Sequence, residues 1–258
     1  MTTPYEPKDA VPLGADSNQL FRIGIQGPPK TGKTWAALTF PNPIVLDFDN
    51  NLRGFSEVYP DKKILAVPFW NATFCDTLGV RCPRPGSPPN QRDALRVWLA
   101  KEARNFTPTQ TLVLDSWTRL QDGFDKQQEL EPSYTKKGEI DEFAFWMKKQ
   151  EYARDIIEFL NSCNCNIVVT FHETVERDSS GKVTGKMKPM MDGRFADKLA
   201  GYFTDWFRQT VMEDDKKERQ YLWQVKADNV ANCGTSLRKL DLKSIKGFVP
   251  ANYNSLVQ

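Results

Sequence analysis

The segment Gly27-Pro28-Pro29-Lys30-Thr31-Gly32-Lys33-Thr34 reads G-x-x-x-x-G-K-T. No other stretch constrains the fold as much, because this spacing works only between a buried strand and the helix that follows it. Phe21-Arg22-Ile23-Gly24-Ile25 supplies the short apolar run for the strand, and Trp35-Ala36-Ala37-Leu38-Thr39-Phe40 continues as the helix. In such a turn successive backbone N–H groups face inward at a helix start, where unpaired donors favour an anion. Pro28 and Pro29 lack N–H groups, so the cradle is built from Lys30 and Thr31 onward while the prolines stiffen its rim. Gly32 lets the backbone approach phosphate with no side chain between them. Lys33 is expected to reach the β- and γ-phosphates, and Thr34 to place its hydroxyl on Mg²⁺. Gly27 to Trp35 is thus the expected nucleotide-contacting segment.

At 258 residues the chain is one large domain or one domain with a small appendage, long enough to bury a substantial core. A net charge of +2 neither demands nor excludes nucleic acid, because a local basic groove is hidden by the sum. No apolar run approaches membrane-spanning length, and Met1-Thr2-Thr3-Pro4-Tyr5-Glu6-Pro7 lacks a charged-then-apolar secretory pattern. The expectation is a cytoplasmic protein. Five scattered cysteines suit free thiols in a reducing compartment better than a disulfide framework.

Residues 1–18 mix Pro, Gly, Asp and Ser and read as an irregular arm, either docked on a neighbouring subunit or a loose tail. After the loop helix, Ile44-Val45-Leu46-Asp47-Phe48-Asp49 is a second buried strand ending in two carboxylates, where α/β sheets place their chemistry. Ile64-Leu65-Ala66-Val67 is a third strand, and Asn71 to Asn90, rich in Pro, Gly and Cys, reads as a long loop. Cys75 and Cys82 lie there without a second pair at metal-ligand spacing. Helical spacing returns with Ala94, Trp98, Leu99 and Ala103. Thr111-Leu112-Val113-Leu114-Asp115-Ser116 is then a buried strand, expected beside the phosphate-loop strand, whose Asp115 holds Mg²⁺. The alternative is an acid capping the helix that starts at Ser116.

Trp117 to Tyr134 reads as helical, and Ile140, Phe143, Ala144, Met147, Ala153, Ile156, Ile157 and Leu160 mark a long amphipathic helix whose aromatics, Phe145 and Trp146 included, are expected to pack. Asn166 to Glu173 is the next buried strand and ends in the only histidine, His172, placed to sense a γ-phosphate. From Thr174 to Met191 a polar hairpin turns at Asp178-Ser179-Ser180-Gly181 and returns with Lys182, Lys186 and Lys188. Asp192-Gly193-Arg194 starts a helix through Leu199. Thr204 to Val211 and Gln220 to Lys226 pair around a charged turn, and Arg238, Lys239, Lys243 and Lys246 make a modest basic patch in the tail.

The order of GPPKTGKT, IVLDFDNNL, TLVLDS and IVVTFHE, followed by a loop and a helix, resembles the RecA-like recombinase core over about Phe21 to Lys226. Within that group the chain is most similar to the compact phage-encoded recombination ATPases associated with single-strand annealing. The resemblance implies that Lys33 and Thr34 hold the phosphates and Mg²⁺, that Asp115 supports the metal, and that Asp49 polarises the attacking water. RecA itself has Glu at that place, so the shorter Asp implies looser water positioning and slow hydrolysis. His172 stands where the family couples the γ-phosphate to a DNA-binding loop, and Thr174–Met191 would be that loop. Lys226 resembles the lysines that reach a neighbour's nucleotide across a filament interface.

The expectation is therefore a doubly wound α/β domain of RecA type, with a largely parallel sheet, helices on both faces and a late antiparallel hairpin extending one edge. Residues 1–18 form the arm, 19–230 the ATPase core and 231–258 a partly basic tail. The expected function is an ATPase, slow and stimulated by assembly or DNA, using ATP and Mg²⁺ to bind single-stranded DNA in phage-type recombination. The expected partners are its own copies in a ring or filament and a single-strand-binding protein, within a host cytoplasm. A motor or helicase-loader ATPase shares the same core. A nucleotide or small-molecule kinase would call for an arginine-rich lid, where Thr174–Met191 is richer in lysine. A partitioning-type ATPase would want a second lysine where Pro28 stands.

Overall fold

The computed structural model describes residues 20–80, 89–191, 195–214, 216–237 and 246–257, without the side chain of Ser56. The arm, Cys82, Asp192–Arg194 and the patch residues Arg238, Lys239 and Lys243 lie outside them. Ten strands form the sheet: β1 (Arg22–Gly27), β2 (Pro43–Asp47), β3 (Leu65–Pro68), β4 (Thr111–Asp115), β5 (Asn166–Arg177), β6 (Val183–Pro189), β7 (Asp205–Glu213), β8 (Arg219–Gln224), β9 (Gly234–Thr235) and β10 (Phe248–Pro250). The helices are α1 (Lys33–Leu38), α2 (Phe55–Val58), α3 (Ala72–Thr77), α4 (Gln91–Glu102), α5 (Trp117–Leu130), α6 (Glu142–Ser162), α7 (Phe195–Lys198) and α8 (Asn254–Val257).

Across the sheet the order is β10-β8-β7-β1-β5-β4-β2-β3, and the six strands from β7 to β3 are mutually parallel. The strand of Asp115 is therefore not beside the phosphate-loop strand, as its sequence suggests: β5 runs between β1 and β4 and pairs with both. Two antiparallel strands, β8 and β10, extend the β7 edge. The extension includes part of the tail, since Val249 is buried and the Tyr253 N–H donates to Thr39 Oγ1 at 2.7 Å.

Continuous apolar runs become strands buried on both faces because successive side chains alternate. Ile44, Leu46, Leu112, Leu114, Ile167, Val169 and Phe171 face a core closed by α4, α5 and α6. Val45, Val113 and Val168 face the opposite core, with Ile23, Ile25 and α1. Each such side chain contributes about 1.5–3 kcal/mol when fully buried. The same alternation puts Asp47, Asp115, Thr170 and His172 on the α1 face, so one parity rule delivers the polar strand ends to one side.

Local departures from the expected elements have visible causes. Asn71 accepts from the Thr73 N–H and caps α3, which interrupts the expected 71–90 loop. In α6, Asp141 caps the start and Tyr152, Ala153, Ile156, Ile157 and Leu160 are buried, but Phe143 is 74% and Met147 57% exposed. The apolar stripe outruns the surface available to cover it, and Trp146, though exposed, packs edge-on against Phe145 at 5.6 Å.

Candidate nucleotide site

Between β1 and α1 the chain turns through positive φ at Lys30 (64°) and Gly32 (84°). Glycine is required at the second place, since a Cβ there would lie 2.8 Å from the Tyr221 ring in a conformation L-residues avoid. Thr31 Oγ1 donates to the Pro28 carbonyl at 2.8 Å and braces the turn. Lys33 is buried, and its ammonium donates to the Gly27 and Pro28 carbonyls at 2.9 and 2.7 Å. Burial lowers its pKa to about 8 against the opposing charges of Asp115, Glu173 and Asp49.

Thr34 Oγ1 donates to Asp115 Oδ2 at 2.8 Å, and Thr170 Oγ1 donates to the other carboxylate oxygen. Asp115 is thus held toward the loop despite the intervening strand. It does not cap the following helix; Ser116 does, accepting from the Arg119 N–H at 3.4 Å. Burial raises the Asp115 pKa, and the two threonine hydroxyls and Lys33 oppose the shift.

Asp49 lies two residues beyond β2, in a turn set by Asp47, whose Oδ1 accepts from the Asp49 and Asn50 N–H groups. Its side chain is 7% exposed, accepts from Ser116 Oγ at 3.3 Å and lies 3.7 Å from Arg119 Nε. Burial, and then the charge of Asp115, raise its pKa to about 6. His172 reaches the same space from β5. Burial and the nearby Lys33 and Arg119 hold its pKa down at about 4, and its Nδ1 has no partner among the described residues.

These groups converge on one cavity of about 610 Å³. Pro29, Lys30, Gly32, Lys33, Thr34 and Trp35 form one wall, with Asp49, Asp115, Ser116 and His172 opposite. Four further lining residues, Asn51, Phe55, Arg119 and Tyr221, carry no signal in the sequence. Arg119 looks like an ordinary helix-surface residue until α5 docks, and Phe55 meets the Trp35 ring edge-on at 5.3 Å.

Lys226 is not at this cavity. It is exposed beyond the end of β8, whose Gln224 pairs with Arg208, while Tyr221, toward the other end of β8, reaches the loop. The hairpin lysines also stand apart from the cavity. β5 and β6 pair antiparallel, the turn is tied by Asp178 Oδ1 accepting from the Ser180 and Lys182 N–H groups, and Lys186 and Lys188 border a second cavity. The returning strand is anchored, with the Met187 N–H donating to Val230 at 2.6 Å and the Met190 N–H to the His172 carbonyl at 2.7 Å. Cys75, Cys163 and Cys165 are buried thiols outside any disulfide, and no cluster of three or more His, Cys, Asp or Glu among the described residues is placed to hold a metal.

An ammonium, a hydroxyl and an acid grouped at the C-terminal ends of parallel strands, behind a loop of this spacing, define a P-loop nucleoside triphosphatase with a largely parallel α/β core. The chain belongs to the AAA domain family, whose profile matches residues 20–231. No curated protein matches it in sequence. Among solved structures it is similar to the KaiC-like protein PH0186 of Pyrococcus horikoshii OT3, at 15% identity over 79% of each chain with a TM-score of 0.40. It is also similar to an ATPase from the type III secretion system of pathogenic bacteria, at 12% identity and a TM-score of 0.42, covering 74% of this chain and 51% of that one. Among the described residues no helix is long and apolar enough to cross a membrane.

Proposed function

We propose that the chain is an ATP-dependent single-stranded-DNA-binding recombination ATPase, of the compact phage type that its sequence resembles. One observation carries the reading: β5 brings His172 into the nucleotide cavity and runs on unbroken into the lysine-bearing hairpin, which returns to the His172 carbonyl through Met190. A group that feels the end of a triphosphate is thus covalently and hydrogen-bond coupled to a basic arm. Arg208 neutralises Glu173, whereas Glu176 and Asp178 keep their charge beside the arm without pairing its lysines. Those two are engaged by Thr184 and the turn amides, and Lys182, Lys186 and Lys188 have no carboxylate partner among the described residues.

Within the nucleotide cavity, Lys33 exchanges two carbonyls for phosphate oxygens. Thr34 and Asp115 offer adjacent oxygens facing the cavity, a donor set suited to a hard divalent cation. Thr34 and Asp115 would hold magnesium there, and it would supply charge neutralisation for a bound triphosphate. Asp49 accepts the proton of the attacking water, and a carboxylate with a pKa of about 6 is a serviceable base at neutral pH. Arg119, 60% exposed at the mouth, holds that carboxylate from one side. Lys226 acts, in this reading, only across subunits of a ring or filament, and a single-strand-binding protein is the natural companion of the single strand that the chain binds.

Fluorescence anisotropy with labelled single- and double-stranded oligonucleotides, with and without ATP and Mg²⁺, tests the reading. Single strands should bind more tightly with nucleotide present, and charge reversal at Lys182, Lys186 and Lys188 should weaken binding more at low than at high salt. Binding indifferent to strand type and nucleotide would sink it.

A further inference from the structure

The second cavity lies on the face of the sheet turned away from α1. Along β1, Ile23 and Ile25 face α1, so Gly24 and Gln26 face the other way. Gln26 is 1% exposed, and its Oε1 accepts from Trp206 Nε1 at 3.2 Å. An indole N–H can only donate, so the carboxamide atom it meets is the oxygen. The amide is thereby oriented, and Nε2 is left buried with two N–H donors and no partner among the described residues. A cavity of about 240 Å³ opens at this side chain, bordered by Trp206, Asn232, Lys186 and Lys188. Glu176, on the same border, is turned to Thr184 Oγ1 at 2.9 Å.

A buried amide with donors to spare calls for an acceptor from outside, and two lysines without carboxylate partners among the described residues call for an anion. We propose that this cavity seats one nucleotide: an unstacked base whose exocyclic carbonyl oxygen accepts from Gln26 Nε2 beside Trp206, with its phosphate held by Lys186 and Lys188. Thymine, uracil, cytosine and guanine carry such an oxygen and adenine does not. The seat is one residue from the phosphate loop, since Gln26 precedes Gly27, and its lysines lie on the strand that Met190 ties to His172. The nucleotide comes either from a strand, which rests on the DNA-binding reading above, or free in solution.

The test compares anisotropy of labelled oligothymidylate, oligoadenylate and an abasic strand of equal length, with wild type in Mg·ATP. Thymidylate should bind most tightly. Gln26→Glu, which keeps an oxygen for Trp206 and removes the two donors, should lower the ratio of thymidylate to abasic affinity about five- to tenfold. Gln26→Met, of similar shape and without charge, should do the same, which separates loss of the donor from repulsion of phosphate. Lys186→Glu with Lys188→Glu should weaken all three strands and flatten the salt dependence by about 0.7 for each phosphate no longer neutralised. A thymidylate-to-abasic ratio that both Gln26 variants leave at the wild-type value overturns the seat. Should no strand bind wild type, the strand reading fails, and the seat is decided by titrating thymidine monophosphate into Lys33→Ala, where the phosphate loop is disabled. Saturable binding lost on adding Gln26→Met upholds the seat for a free nucleotide, and no binding overturns it.

Discussion

Two ionisable side chains of the nucleotide cavity are pushed in opposite directions, and each can be read separately. Asp49, raised to about 6, must be ionised to accept a proton, so turnover should fall as pH drops through about 6. Asp49→Asn should bind nucleotide and lose about 10²–10⁴ in kcat; an unchanged rate would remove it from the mechanism. The positive charge of Arg119 holds the Asp49 pKa down, so Arg119→Gln should move the acid limb of the pH profile upward, and an unmoved limb would show that the pair is broken in the working enzyme. His172 is lowered from 6.5 to about 4, so it stays neutral in that range and contributes no limb. Because the chain has one histidine, a single imidazole resonance reports it, and a midpoint near 6.5 by NMR would contradict its burial. The linkage signs differ. His172 contributes stability that is present above pH 6.5 and lost as pH falls toward 4, while the burial of Asp49 costs stability as pH rises from 3.8 to about 6.

At the scale of elements, β5 is the strand on which the site depends, and its neighbours are fixed by contacts absent from any motif. Arg208 on β7 grips Glu173 on β5 bidentately, with Nη2 to Oε1 at 2.8 Å and Nε to Oε2 at 3.0 Å, and the Glu173 side chain is 1% exposed. Arg208→Met leaves that carboxylate buried and unpaired and should cost about 3 kcal/mol in denaturant unfolding. Adding Glu173→Gln should recover much of the loss, and a purely additive pair would show that the bridge is not formed. Between them β1 needs Gly24, since a Cβ would collide with the Trp206 ring, so Gly24→Ala should destabilise by about 1–3 kcal/mol through overpacking.

At the scale of the whole molecule, what could be read in advance was whatever is local. The G-x-x-x-x-G-K-T spacing, the apolar runs ending in Asp115 and His172, and the Asp178–Gly181 turn each encode their geometry within a few residues. Strand order does not, because the neighbour of a parallel strand is chosen by a crossover of many residues; hence β5, not β4, beside β1. Arg119 and Gln26 were invisible for a related reason: a lone polar residue on a helix or in a strand has no pattern until another element closes over it. The α6 stripe shows the converse limit, since periodicity marks a face but not where its cover ends. One end of β1 leads into the phosphate loop, and the other side of the same strand borders the cavity shared with Lys186 and Lys188 of the hairpin.

The proposed ATPase function depends on Lys33, Thr34 and Asp115 gripping one triphosphate in the 610 Å³ cavity. Isothermal titration of Mg·ATP into wild type and Lys33→Ala measures that directly. One site per chain should appear in wild type, with proton uptake near pH 8 as Lys33 regains its charge beside phosphate, and none in the variant. Equal binding by the two proteins would contradict it.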